Sequence, residues 1–206
     1  MTPRPRTATD AEILAATARA IARVGPVRLT LAEVAAEVGL SPATLVQRFG
    51  SKRGLLLAFA QQGGGEGDPY EAIRATHASP LEALFAAATC TAQMAETPEA
   101  LSNHLAFLQI DLTDPDFHRL ALAHGRANRV GLHALVRAAV EAGELRAGDT
   151  ERLARLVETV IGGSLISWAI YREGDAEAWV RADLAALLEP YRTGPGCAVA
   201  APPGGA

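Results

Sequence analysis

Apolar residues recur at three- and four-residue intervals along nearly the whole chain, and no useful length alternates with period two. That pattern predicts an all-α protein. Residues 9–24 place Ile13, Ala16 or Thr17, Ala20 and Val24 on one side of a helix, which Gly25-Pro26 ends. Ser79-Pro80, Thr97-Pro98 and Asp114-Pro115 each set a capping side chain before a proline, whose missing N–H costs nothing in a first helical turn. They predict helices over residues 81–94, 99–112 and 115–142. Asp149 caps another over 150–172, and Gly174-Asp175 leads into a last one ending near Pro190. Together with those between residues 29 and 62, about nine helices are expected.

Residues 29–57 are the most sharply patterned stretch. Thr30 and Glu33 make a Thr-x-x-Glu capping box, and Leu31, Val34, Ala35 and Val38 follow as one apolar face. Gly39 ends that helix and Leu40 anchors the turn. Ser41 then caps a second helix with Pro42 at its first position, on which Leu45 and Phe49 are the inward anchors. Pro42, Ala43, Thr44, Val46, Gln47 and Arg48 face outward as a small, mixed apolar and hydrogen-bonding surface, such as a helix needs to enter a major groove. Gly50 stops it, and Ser51 caps a third helix with Lys52 in its first turn, where amides and an ammonium suit a phosphate oxygen. Two short helices joined by a glycine-containing turn form a helix-turn-helix.

On Thr30, Val34-Ala35, Val38-Gly39-Leu40-Ser41, Thr44-Leu45, Phe49, Ser51-Lys52 and Leu55, the segment resembles the DNA-binding domain of the TetR family of bacterial transcriptional repressors. The resemblance covers about a quarter of the chain. It departs at Val46, where most members carry tyrosine, and at Gly54. It implies a small N-terminal three-helix domain, tetracycline-repressor-like and homeodomain-like, followed by a larger helical bundle. It also implies a cytoplasmic homodimer on a palindromic operator, released by a small, mostly apolar effector. Thr30, Ser41, Pro42, Ala43, Thr44, Val46, Gln47, Arg48 and Lys52 are the expected DNA contacts, with Thr30, Arg48 and Lys52 on phosphate.

Charge agrees with a DNA-reading head on an acidic body. Residues 1–62 hold eight Lys/Arg against four Asp/Glu, a balance of +4 in a chain whose net charge is −4. Lys52 is the only lysine. Arg4 and Arg6 sit in a proline-bearing arm, either a tail or a minor-groove or phosphate contact. Residues 63–69, a glycine-rich run ending in Asp68-Pro69, break the helical pattern and mark the expected boundary between a DNA-binding domain (1–62) and a ligand-binding and dimerisation domain (63–192), with a disordered tail at 193–206. No apolar run reaches membrane-spanning length, and the first residues lead into an amphipathic helix and not a signal-peptide core. Cys90 and Cys197 lie far apart and suggest neither a disulfide framework nor a metal knuckle.

In the body, Leu156, Val160, Gly163, Leu165, Ile166 and Ile170 on one helix, and Trp179, Leu184, Leu187 and Leu188 on the next, make a surface wider than one facing helix can cover. A second copy of the chain is the expected partner, through Val160, Gly163, Leu165, Trp179, Leu184 and Leu187. A ligand pocket is expected among the helices from 80 to 142 and the start of the 150 helix, where a few polar groups fall in apolar segments. Phe85, Met94, His104, Phe107, His124, Asn128 and Trp168 are its candidates, with core packing as the alternative for each. The five histidines lack metal-ligand spacing, so neither a metal nor another cofactor is expected. Asp111, Asp114 and Asp116 are explained by a helix start, and no Gly-x-Ser-x-Gly, Rossmann or Walker loop is present, which argues against an enzyme. The competing class is a helical small-molecule-binding protein or enzyme without specific DNA binding.

Overall fold

The computed structural model describes residues 8–62, 68–93, 95 and 97–193. Among them are ten α-helices: α1 (Asp10–Arg28), α2 (Leu31–Glu37), α3 (Pro42–Phe49), α4 (Lys52–Gln62), α5 (Pro69–Ala75), α6 (Pro80–Ala92), α7 (Pro98–Thr113), α8 (Pro115–Glu141), α9 (Thr150–Tyr171) and α10 (Ala176–Leu188), with a 3-10 turn at Glu189–Tyr191. Each cap read from the pattern is made. Thr9 and Thr30 form reciprocal boxes with Glu12 and Glu33, and Ser41, Ser79, Thr97, Asp114, Asp149 and Asp175 each accept from an amide of the first turn. The helix missing from the expected set is α5. Its signal is a fourth cap-proline pair, Asp68-Pro69, with the Asp68 carboxylate accepting from the Tyr70 amide at 2.8 Å.

Two apolar cores form. The larger joins α6, α8, α9 and α10 around Leu84, Leu132, Val136, Val157, Val180 and Leu184. Alanines at 83, 87, 88 and 92 bury on α6 and let it pack closely against α8 and α10. The smaller joins α1 to α4 around Ile13, Ile21, Val34, Leu45 and Leu55, and takes in Phe107 from α7 and Phe117 from α8. Each such leucine or isoleucine stabilises by roughly 1.5–3 kcal/mol on burial. Phe107 and Phe117 thus close the N-terminal core from the far side of residues 63–67 in sequence. Phe59 and Phe117 both meet Phe107 edge-on, at centroid distances of 5.7 and 5.9 Å.

Helical spacing does not settle which side faces in. Leu105, Leu108 and Leu112 point outward on α7, whose inner side carries Leu101 and Phe107. Leu165 (6% exposed) and Leu184 (0%) lie inside the body core and are not free for a partner. The reason is that α9 must cover α8 and α10 at once, which uses the Leu165 side of its wide apolar surface and leaves Gly162, Gly163, Ile166 and Ile170 outside. In length and hydropathy (mean 1.4 over its most apolar window) α9 matches a membrane span, but Leu153, Val157, Ile161, Leu165 and Trp168 pack into the body.

Thr193 closes the described chain. It donates from its hydroxyl to the Gly143 carbonyl and from its amide to the Glu144 carbonyl. Arg4, Arg6, Met94 and Cys197 lie outside the described residues. Cys90 is exposed on α6.

Candidate nucleic-acid interface and ligand cavity

The turn between α2 and α3 is set by backbone geometry. Gly39 takes φ +71°, Leu40 donates to the Ala35 carbonyl at 2.8 Å, and Gly39 to that of Ala36 at 3.3 Å, the paired bonds that close a helix. Ser41 then accepts from the Thr44 amide at 3.2 Å, and the two hydroxyls lie 2.9 Å apart. Leu45, fully buried, holds α3 from behind. Pro42, Ala43, Val46 and Gln47 are exposed, Val46 by 47%, and Thr44 is half-buried beside its cap.

The basic groups around α3 are anchored from within. Lys52 donates to the Val27 carbonyl at the end of α1 at 2.6 Å. An ammonium has three donors, so this bond positions Lys52 and leaves capacity for a phosphate. Arg48 donates through Nη1 to the Ala8 carbonyl (2.6 Å) and to Asp10 (3.2 Å), which ties α3 to the start of α1. Thr30 is engaged in its capping box. Gly54 has a steric cause: a Cβ there would stand 1.9 Å from the Phe49 carbonyl oxygen, so α4 can begin this close to the end of α3 only without a side chain.

The candidate pocket residues divide between places. His104, Phe107 and His124 converge, with Ile21, Phe59 and Asp111, on a cavity of about 320 Å³ between α1, α4, α7 and α8. A wider cleft of about 630 Å³ adjoins it through Phe59 and His104 and runs along α1 past Ala22 and Ala100 to Arg19 and Arg23. Burial pushes the Asp111 carboxyl up, against the opposing pull of His124 and His118. Phe85 stands apart, under the Arg181 guanidinium at 5.8 Å and beside a cleft formed with Ser79 and Glu144. Asn128 joins a chain of bonds, accepting from the Tyr70 hydroxyl and donating to Glu158, which also pairs with Arg129. Burial pushes the Tyr70 phenol up to about 12. Trp168 is core, its indole N–H on the Gly174 carbonyl at 3.2 Å.

The cavity is walled on one side by α7 and α8, within the 80–142 helices, and on the other by α1 and α4 of the reading head. The residues that pattern missed here are Arg19, Arg23, Phe59 and Ala100.

At the dimer candidates, Gly163 is exposed and Val160 and Leu187 are half-buried. Trp179 is turned to the α9–α10 connection, donating to the Glu173 carbonyl at 2.6 Å and stacking on Tyr171 with ring centroids 5.8 Å apart.

Residues 13–59 match the sequence profile of the bacterial regulatory proteins of the tetR family. No curated protein matches the chain in sequence. Solved structures share the fold over nearly the full length. A TetR transcription regulator from Haloarcula marismortui is 21% identical, with a TM-score of 0.70 over 89% of this chain and 98% of that one. A transcriptional regulator from Saccharomonospora viridis in complex with choline is 23% identical, with a TM-score of 0.70 over 87% and 95%. The transcriptional regulator FadR from Bacillus subtilis, in complex with stearoyl-CoA, is 15% identical, with a TM-score of 0.65 over 87% and 98%. Helix-turn-helix geometry and sequence profile agree over residues 13–59, which carry the DNA-binding domain of the tetR family, and the chain as a whole has the fold of TetR-family regulators.

Proposed function

We propose that this DNA-binding, ligand-responsive regulator acts as a cytoplasmic homodimeric repressor, and that filling the cavity between α1, α4, α7 and α8 releases it from a near-palindromic operator. The observation that carries the proposal is α3. Its outer surface is a short run of small, apolar and amide side chains, raised on a buried leucine and flanked by Lys52 and the α4 start. An exposed valine beside Gln47 suits a thymine methyl and an adenine edge.

Support for a dimer comes from the strip of Gly162, Gly163, Ile166 and Ile170 left open on α9, with Val160 and Leu187 at its margin. Two α3 helices related by a two-fold axis require half-sites about 34–36 Å apart or a multiple of it. Support for an effector comes from the position of the cavity on α1 and α4, both part of the reading head, and from fold relatives solved with choline and with stearoyl-CoA. A ligand that favours one placement of the heads weakens DNA binding by its differential affinity for that placement. No catalytic role is needed.

Selection from a pool of random duplexes tests the proposal. Enrichment of a near-palindrome with two equivalent half-sites is expected, bound by a species that sediments as a dimer. Enrichment of no sequence, or binding of a single asymmetric site by a monomer, contradicts it.

A further inference from the structure

We infer that the cleft along α1 takes an amphiphilic carboxylate, its head between Arg19 and Arg23 and its tail over Phe59 toward Phe107, and that this head competes with Glu37 of the helix-turn-helix. The assignment rests on the ligand-responsive function proposed above and adds the ligand class and the route of coupling.

The two cavities adjoin at Phe59 and His104, and their walls between the ends are mainly apolar: Ala18, Ala22 and Ala100 in the outer one, Ile21, Phe107 and Ala121 in the inner. At about 630 Å³ the outer cleft alone is within the size range of small-molecule sites. Its outer end carries two guanidiniums one helical turn apart on α1, with side chains 59% and 55% exposed. A long apolar trough ending at paired arginines fits an apolar tail with an anionic head. Guanidinium matches carboxylate geometry in a way that no cationic or neutral head can exploit.

The same arginines already hold a carboxylate. Arg19 Nε lies 2.5 Å and Arg23 Nη1 3.8 Å from the two oxygens of Glu37. Glu37 is the last residue of α2, at the negative end of the helix dipole, where a carboxylate is unfavourable unless cations offset it. A second carboxylate between Arg19 and Arg23 draws them away. The end of α2 then loses its counter-charge next to the turn that sets the angle of α3. Ligand and operator thus oppose one another through one residue, and by linkage each weakens the other by the same factor.

Titration calorimetry of the full chain with decanoate, 1-decanol and decyltrimethylammonium, below their micellar concentrations, tests the head-group assignment without DNA. Saturable decanoate binding is expected, with decanol roughly tenfold or more weaker and no binding of the cation. The R19Q/R23Q variant should bind decanoate no better than decanol, and Ala100→Phe, which fills the trough, should bind neither. Equal affinity for the three probes, no saturable decanoate binding, or unchanged decanoate binding by R19Q/R23Q overturns the assignment. R19Q/R23Q changes only exposed side chains, so it decides the matter if A100F does not fold.

On a selected duplex, saturating decanoate should lower affinity roughly 5- to 150-fold, and the duplex should lower decanoate affinity by the same factor. Decanoate that binds but leaves duplex affinity unchanged overturns the coupling through Glu37. If no duplex is ever selected, the regulatory function fails while calorimetry still decides the ligand class.

Discussion

Asn103 of α7 donates from Nδ2 to the Ala22 carbonyl of α1 at 2.8 Å, and its Oδ1 would stand 2.7 Å from a Cβ on Gly25. The bond lies where α1 breaks, Gly25 taking φ +76° before Pro26. It pins the reading head to the body at a point where the helix has stopped bonding to itself. Gly25→Ala meets both a left-handed backbone and the Asn103 side chain, and should cost about 1–3 kcal/mol in urea denaturation. Adding Asn103→Ala should remove the clash but not the backbone strain, so the pair of losses should be less than additive. Additive losses would mean that the two residues do not meet.

Arg53 bridges head and body differently, as a fork on Asp114 at 2.8 Å and Asp116 at 2.9 Å with its guanidinium over the Phe117 ring. Hydrogen bonds from Arg53 hold both carboxyls below their ordinary value of 3.8. A depressed folded value gives stability that is present above 3.8 and lost as pH falls through the lowered values. Arg53→Gln should therefore lower the urea midpoint at neutral pH, and the gap from wild type should close below pH 3.8. A gap independent of pH would show that packing on Phe117 is all that Arg53 contributes.

Asp111 behaves in the opposite sense. Burial raises its carboxyl above 3.8 despite His124 and His118, so the folded state holds its proton longer than the unfolded one. Stability then falls as pH rises from 3.8 through the raised value, and the penalty persists at neutral pH. Asp111→Asn should melt higher than wild type at pH 7, with the advantage vanishing below pH 3.8. An equal or lower melting temperature at pH 7 would place a favourable partner on the carboxylate.

The two sides of α9 should answer differently to charge. Ile166→Glu, on the open strip, should give a folded monomer by sedimentation that has lost operator binding, because two heads no longer act together. Leu165→Glu places a carboxylate in the body core and should unfold the chain. A dimeric Ile166→Glu protein would move the interface elsewhere.

How far the chain could be read from its pattern differs from element to element. Caps are local, so Thr30, Ser41, Thr97 and Asp114 located their helices within a residue or two. The α5 start was overlooked because Asp68-Pro69 follows a glycine run that reads as linker. Faces need tertiary partners: nothing in the 98–113 segment says that Leu105, Leu108 and Leu112 turn to solvent while Asn103 and Phe107 turn to α1. The cavity was the least legible feature, since Arg19, Phe59 and His104 come from three distant helices. Periodicity marks each only as a residue on an amphipathic helix. The reading head could be recognised because its spacing is dictated by the groove it must enter.

That groove gives the most direct test. Binding of wild type, Gln47→Ala and Lys52→Ala to a selected duplex and to its single-base variants, across a series of salt concentrations, separates base reading from phosphate contact. Gln47→Ala should relax discrimination at one base pair per half-site by about 1–3 kcal/mol and leave the salt slope unchanged. Lys52→Ala should weaken all duplexes alike and reduce the slope by about one per head. Equal loss of discrimination from both, or unchanged binding by both, would contradict the placement of α3 in the major groove.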